Sequence, residues 1–73
     1  MLVSLFDGKT TVSVDDTKLD NLNKVGHGFT QKTYERYLIE DGLKNATPEQ
    51  IVAALNRYME EDIQVGLKLK SLI

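Results

Sequence analysis

The strongest local signal in the sequence is Thr47-Pro48-Glu49-Gln50, which marks the start of a helix. Threonine is a favourable N-cap, proline suits the first helical position, and a glutamine three residues after the cap completes a capping box. The apolar residues that follow recur at helical spacing: Ile51, Leu55, Tyr58, Met59, Ile63, Val65, Leu69 and Leu72. The pattern predicts an amphipathic helix over residues 48–70, with Gly66 as the point where it bends or frays. A helix of this length takes up about a third of the 73 residues, and with the two shorter helices described next it indicates a mainly α-helical fold.

Two shorter helices are predicted before this one. Asp15-Asp16-Thr17 offers N-caps, and the apolar residues Leu19, Leu22 and Val25 follow at three-residue spacing. These features predict a helix over residues 16–25, which Gly26-His27-Gly28 stops. Thr30 is the expected cap of a second helix over residues 30–44, which weakens or ends from Gly42 onward.

The N-terminal segment has the two-residue alternation of a β-strand. β-branched residues dominate Thr10–Val14, so we predict a strand over residues 9–14 with Val12 and Val14 on its buried face. Asp7-Gly8 is also a turn signal, and residues 2–14 could instead form a local hairpin. The expected fold class is mainly α with one short N-terminal β-strand, in a single domain spanning residues 1–73.

The size of the chain makes self-association the expected route to stability. A core built from 73 residues is marginal, and small domains commonly add disulfides, a structural metal or a second chain. The sequence contains no cysteine, which removes disulfides and thiolate zinc sites. We therefore expect a homodimer.

The charge distribution argues against an extended basic surface of the kind that binds nucleic acid. The formal net charge is −2, with five bases and five acids up to Arg36 and four bases and six acids after it. The negative excess therefore lies in the C-terminal half. No apolar run approaches the length of a membrane span and the first residues do not resemble a secretion signal, so we expect a cytoplasmic protein with no membrane partner.

Catalytic chemistry finds little support in the sequence. His27 is the only histidine and lies between two glycines, where a loop role is expected. Glu60-Glu61-Asp62 is typical of the solvated face of an amphipathic helix, and Gly8-Lys9-Thr10 lacks the upstream glycine of a phosphate-binding loop. We expect no enzymatic activity, no catalytic residues, no metal, no cofactor and no small-molecule substrate.

Three consecutive segments resemble the ribbon-helix-helix DNA-binding family of the Arc and MetJ type. They are the alternating strand with its cap, Thr10–Asp16, the leucine-spaced helix, Lys18–Val25, and the glycine turn with the Thr cap of the next helix, Gly28–Lys32. The resemblance covers about half of the chain. With its third helix, the layout is similar to small regulators of spindle-shaped viruses of archaea.

The resemblance implies an intertwined homodimer that inserts a two-stranded antiparallel ribbon into the major groove of double-stranded DNA. It implies a transcriptional regulator of a virus or mobile element, acting in the cytoplasm of the host cell if viral. The base contacts would be Lys9, Thr11 and Ser13, and the phosphate contacts Thr30, Gln31 and Lys32. The dimer core would comprise Val12, Val14, Leu19, Leu22, Tyr34 and Leu38.

Two features depart from the family pattern and keep a second hypothesis open. The loop Gly26-His27-Gly28 is about two residues shorter than usual, and simple members of the family end after two helices. The third helix and its acidic residues instead suit a protein-interaction module, antitoxin-like or host-factor-binding. Binding of duplex DNA at low salt separates the two hypotheses.

Overall fold

A short antiparallel hairpin is followed by three helices in the computed structural model, which describes residues 1–72. Residue 73, part of the predicted domain, lies outside the described residues. The elements are β1 (Leu2–Leu5), β2 (Thr10–Ser13), α1 (Asp16–Lys24), α2 (Gln31–Glu40) and α3 (Pro48–Ser71). The mainly α-helical class with a short β segment at the N-terminus is confirmed.

The N-terminus contains two strands, which confirms the alternative of a local hairpin over residues 2–14 and corrects the single strand of the expected fold class. β1 and β2 pair within one chain, with Val3 opposite Val12 and Ser4 opposite Thr11. The Lys9 amide donates to the Phe6 carbonyl at 3.3 Å. Between them, Asp7 and Gly8 have φ values of +63° and +79°. Phe6 also has positive φ, +55°, so three consecutive residues of the loop Phe6–Lys9 have left-handed backbone. Glycine adopts this conformation at no steric cost and aspartate adopts it more readily than most residues, which is why Asp-Gly favours a local hairpin.

The hydrophobic core is formed within one chain. One face of the hairpin packs toward the helices, and α3 contacts both β2 and α1. The buried residues are Val3, Leu5, Val12, Val14, Leu22, Tyr34, Leu38, Ile51, Ala54, Leu55, Tyr58, Met59 and Ile63. Five of the six residues expected in a dimer core are among them, and the sixth, Leu19, is partly buried against the same cluster. A single chain therefore already covers the side chains that the resemblance assigns to the dimer core.

α1 and α2 end in the same way, which corrects the predicted extent of the second helix. His27 donates its amide to the Leu22 carbonyl at 2.9 Å, and Leu43 donates to Leu38 at 2.8 Å. In each case the residue before the donor is a glycine with left-handed backbone, Gly26 at φ +85° and Gly42 at φ +74°. These are the contacts of a Schellman motif, which terminates a helix. α2 therefore stops at Glu40, four residues before the predicted end at residue 44.

α3 begins as predicted and continues without interruption to Ser71. The Gln50 amide donates to the Thr47 hydroxyl at 3.3 Å, and the Thr47 amide donates to the Gln50 side chain at 3.2 Å. Gly66 does not end or fray the helix. It is buried, and a Cβ added there would lie 2.6 Å from Cγ2 of Val25. The glycine thus permits close approach between α3 and the C-terminal end of α1.

Candidate nucleic-acid interface

The outer face of the hairpin is polar and exposed. Side chains alternate between the two faces of each strand, so Val3, Leu5 and Val12 are buried while Ser4, Thr11 and Ser13 face solvent. Ser4 lies directly opposite Thr11, and Ser13 lies opposite the exposed Leu2. Three hydroxyl groups therefore share one small surface, and the exposure predicted for Thr11 and Ser13 is observed.

The hydrogen-bond pattern leaves the outer edge of β2 open. Met1 and Val14 exchange hydrogen bonds at 3.1 and 2.8 Å and so form a hydrogen-bonded pair. Because such pairs alternate with non-hydrogen-bonded ones along an antiparallel ladder, the backbone groups of Thr11 and Ser13 point away from β1. Within residues 1–72 these groups have no hydrogen-bond partner. The edge is available for pairing with a further strand.

Lys9 is exposed but lies outside the strand ladder. It is the last residue of the turn that precedes β2. The alternation that orders Thr11 and Ser13 consequently does not place the Lys9 side chain in the same row. Of the three predicted base contacts, the structure brings Thr11 and Ser13 together on one strand face and puts Lys9 at the tip of the hairpin.

The start of α2 is fastened to the hairpin by two long-range hydrogen bonds. The Gln31 side-chain amide donates to the Ser4 carbonyl, and the Phe6 amide donates to the Glu35 carboxylate. Phe6 has φ +55°, an uncommon conformation for a bulky residue. The predicted phosphate contacts therefore lie beside β1, but the side-chain amide of Gln31 is already engaged within the chain.

The first turn of α2 retains groups that can meet an anion. Thr30 is the N-cap, but its side chain makes no capping hydrogen bond, and its carbonyl accepts from Thr33 and Tyr34. The amides of Gln31 and Lys32 have no partner among the described residues. Free amides and the positive end of the helix dipole favour an anion. The side chains of Thr30 and Lys32 are exposed there.

Two carboxylates beside the start of α2 restrict the positions in which a DNA phosphate could bind there. Asp7 and Glu35 line the same open cleft of about 480 Å³ as Thr30, Gln31 and Lys32. A phosphate inside this cleft would meet two carboxylates and a single cation. Contact made by Lys32 and the helix amides at the outer side of the cleft is therefore more favourable than binding within it.

A second cleft, between α2 and α3, was not anticipated from the sequence. It has a volume of about 510 Å³ and is lined by Tyr37, Glu40, Asp41, Arg57, Tyr58, Glu61 and Asp62. The rings of Tyr37 and Tyr58 meet edge to face, with centroids 5.6 Å apart. Four carboxylates beside one guanidinium make it acidic. The sequence Glu60-Glu61-Asp62 indicated an acidic surface on α3, but it did not show which residues of α2 would form the other side of the cleft.

Tyrosine hydroxyls bind two of these carboxylates. Tyr34 donates to Asp62, and Tyr58 donates to Asp41. Burial raises the pKa of Tyr34 far above its ordinary value of 10, and the hydrogen bond to Asp62 raises that pKa further. Burial and Asp41 likewise raise the pKa of Tyr58, which Arg57 partly offsets. Both tyrosines act as neutral donors, so the acidic cleft is partly organised by the core.

No group of three or more histidines, cysteines or carboxylates within residues 1–72 is arranged to hold a metal ion. His27 is half-buried, and its ring lies close to Gly66, consistent with a packing role in the loop after α1. Among the described helices, none combines the length and apolar character needed to cross a membrane.

Comparisons of the chain with protein-family models, with curated proteins and with solved structures returned no match. The ribbon-helix-helix resemblance therefore depends on the sequence pattern described above.

Proposed function

We propose that this chain is a homodimeric, sequence-specific double-stranded DNA-binding protein that inserts the β1–β2 hairpin into the major groove. On this proposal it is a transcriptional regulator, and the resemblance favours a virus or mobile element as its source. The ribbon comes from one chain instead of two. The major groove is about 12 Å wide and admits a two-stranded ribbon of either origin.

The observation that carries the proposal is the row of hydroxyls on the outer face of the hairpin. Ser4, Thr11 and Ser13 are exposed on adjacent strands, in a register that places Ser4 beside Thr11. Hydroxyl groups both donate and accept hydrogen bonds, so they can contact the edges of several bases. The opposite face of the same hairpin is buried in the core, which holds the row rigidly.

Phosphate contacts would lie beside the ribbon at the start of α2, where Lys32 is in the first turn and the Gln31 side chain binds β1. Lys9, at the tip of the hairpin, would reach a base edge or a phosphate. Contacts to phosphate set the register of a protein on DNA, while base contacts set its sequence preference. With so few cations, the affinity should fall only shallowly as salt concentration rises.

The test begins with selection of bound duplexes from a random library, followed by footprinting. A twofold-symmetric consensus is expected from a homodimer. Replacing Lys9, Thr11 and Ser13 with alanine should then abolish discrimination between the selected site and a random duplex, while the circular dichroism spectrum stays unchanged.

A matched control removes the same residue types elsewhere on the surface. All three control residues are exposed and lie outside the two strands: Thr17 in the first turn of α1, Lys44 between α2 and α3, and Ser71 at the end of α3. The variant Lys44→Ala, Thr17→Ala, Ser71→Ala has the same change in net charge and should keep its discrimination. If the hairpin variant preferred the selected site over a random duplex as strongly as the control variant does, the hairpin would be excluded as the element that reads the sequence.

The second candidate function is a protein-interaction module, favoured by the acidic cleft between α2 and α3. Glu40, Asp41 and Glu61 lie there beside two tyrosine rings, a combination suited to a cationic segment of a partner. A mobility-shift experiment with duplex DNA at low and moderate salt separates the candidates. Absence of binding at low salt would favour this second function.

A further inference from the structure

One exposed side chain on the outer face of the hairpin carries no polar group. Leu2 is 73% exposed. It lies directly opposite Ser13, and the next cross-strand pair on the same face joins Ser4 to Thr11. Within β1 and β2, the outer face therefore consists of three hydroxyl side chains and one leucine, with no charged group.

The pairing of the two strands holds the backbone of Leu2 in place. On one side of it, the Val14 amide donates to the Met1 carbonyl at 2.8 Å. On the other side, Val3 pairs with Val12, and both valines are buried in the core. A side chain whose backbone is already ordered costs less entropy to bury against a ligand. Leu2 is therefore a preorganised apolar contact in the middle of a polar surface.

A leucine restricts the choice of base in a way that a hydroxyl does not. A serine or threonine hydroxyl both donates and accepts, so it fits more than one base edge in the major groove. Leu2 can do neither. Against the polar edge of guanine, cytosine or adenine, it would displace water from nitrogen or oxygen atoms without replacing their hydrogen bonds. Thymine is the only one of the four bases that presents an apolar group there, its C5-methyl.

The cross-strand pair Leu2–Ser13 combines the two kinds of contact that one A·T pair offers. The Cβ atoms of directly opposite residues lie about 5 Å apart. Beside the thymine methyl, the same base pair presents O4 of thymine and N6 and N7 of adenine to a hydroxyl such as that of Ser13. An apolar protein surface would cover Leu2 equally well, but it would leave the neighbouring hydroxyls without hydrogen bonds. The surroundings of Leu2 thus favour a base edge as its partner.

We propose that Leu2 packs on the C5-methyl group of a thymine in the major groove and is a specificity-determining residue of the hairpin. This inference rests on the proposed function and deepens it, since it names a base that the ribbon selects. Residues two apart on one strand are separated by about 6.8 Å, roughly two base pairs of B-DNA. In a ribbon that follows the groove, the thymine lies about two base pairs from the position that Ser4 and Thr11 contact.

The first test removes the methyl group from the DNA. In the duplex obtained by library selection, each thymine is replaced in turn by deoxyuridine, which pairs with adenine and lacks only the methyl group. At one position in each half-site, the affinity of the wild-type chain should fall about fourfold, and by roughly tenfold or more when both half-sites are changed. Leu2→Ala should bind the thymine and deoxyuridine duplexes equally. Fluorescence anisotropy measures both, and a wild-type affinity that no deoxyuridine lowers would overturn the proposal.

Three further variants assign the effect to Leu2. Thr11→Ser keeps the hydroxyl and removes only the threonine methyl group. Leu72→Ala shortens a leucine of similar exposure, 76%, at the C-terminal end of α3. Both variants should retain the preference for thymine over deoxyuridine, and Leu2→Met, which keeps an apolar side chain, should retain most of it. Loss of the preference in Thr11→Ser but not in Leu2→Ala would contradict the assignment.

The same titrations separate this inference from the proposed function. If the wild-type chain binds no duplex at low salt, the proposed function fails and the inference fails with it. If the chain binds a selected sequence without regard to any thymine methyl group, the function stands and only the inference fails. Analytical ultracentrifugation provides the last check, because an altered oligomeric state in Leu2→Ala would assign Leu2 to a contact between copies and overturn the proposal.

Discussion

The two parts of α3 share one residue pattern and lie in different environments. In the part up to Ile63, the apolar residues Ile51 and Leu55 are completely buried. Beyond that point, Leu69 occupies the same face of the helix and is 54% exposed. Periodicity therefore specifies which face of a helix is apolar, but it does not say what covers that face. In the first part α1, α2 and the hairpin provide the cover. In the second part α1 reaches Gly66 and Lys70, but Leu69 stays exposed.

The largest expected effect tests this difference directly. Leu55→Ala should lower the free energy of unfolding by about 2–5 kcal/mol, because a buried leucine leaves a cavity. Leu69→Ala should lower it by less than about 1 kcal/mol at a protein concentration where the chain is monomeric. Urea denaturation measures both variants. Similar losses would mean that the apolar face of α3 is covered along its whole length.

Gly66 lies between the two parts and provides the next test. A Cβ at this position would lie 2.6 Å from Cγ2 and 2.7 Å from Cβ of Val25. Gly66→Ala should therefore destabilise the fold by about 1–3 kcal/mol, although alanine is the better helix former. Combining it with Val25→Ala should recover part of the loss in thermal denaturation. A gain in stability from Gly66→Ala alone would show that α1 and α3 are not in close contact.

The capping box fixes the N-terminal end of the covered part. Thr47→Ala removes the hydroxyl that accepts the Gln50 amide and should cost about 1 kcal/mol. Thr47→Ser keeps an acceptor and should cost less. The difference in urea midpoint between the two variants measures the contribution of the cap.

The smallest effect is a pH dependence that comes from Tyr34, whose hydroxyl donates a hydrogen bond to Asp62. Because the folded chain raises the pKa of Tyr34 above its ordinary value of 10, the unfolded chain loses this proton first as pH rises. The free energy of unfolding should consequently fall above about pH 10. In Tyr34→Phe, urea denaturation at pH 9–11 should show a shallower fall of the free energy of unfolding than in the wild type. An equal slope in Tyr34→Phe would contradict the raised pKa.

Local signals in the sequence predicted much of the fold. The capping box gave the start of α3, Asp15 was among the caps named for α1, and the alternation of residues 10–14 identified Val12 and Val14 as buried. Each of these features depends on neighbouring residues only. The end of α2 was predicted less accurately: Gly42 was named as the point where the helix weakens, but the helix was extended to residue 44, and the left-handed backbone of Gly42 ends it at Glu40.

Contacts between distant segments could not be predicted in the same way. Gln31 binds Ser4 across 27 residues, and Gly66 packs against Val25 across 41 residues. Neither pairing has a signature in local spacing. For the candidate site, the sequence identified Thr11 and Ser13 as exposed, but it did not show that Lys9 belongs to the turn or that Ser4 completes the row of hydroxyls.

The complete burial of Met59 has a practical consequence for chemistry in oxidising conditions. The chain has two methionines, and Met1 is 52% exposed whereas Met59 is 0% exposed. Dilute hydrogen peroxide should convert Met1 to its sulfoxide quickly, while Met59 reacts only when the core opens. The rate at which Met59 becomes its sulfoxide, followed by the mass of the peptide that contains it, therefore reports how often the core opens. The oxidation of Met1 in the same sample reports how much oxidant the protein has met.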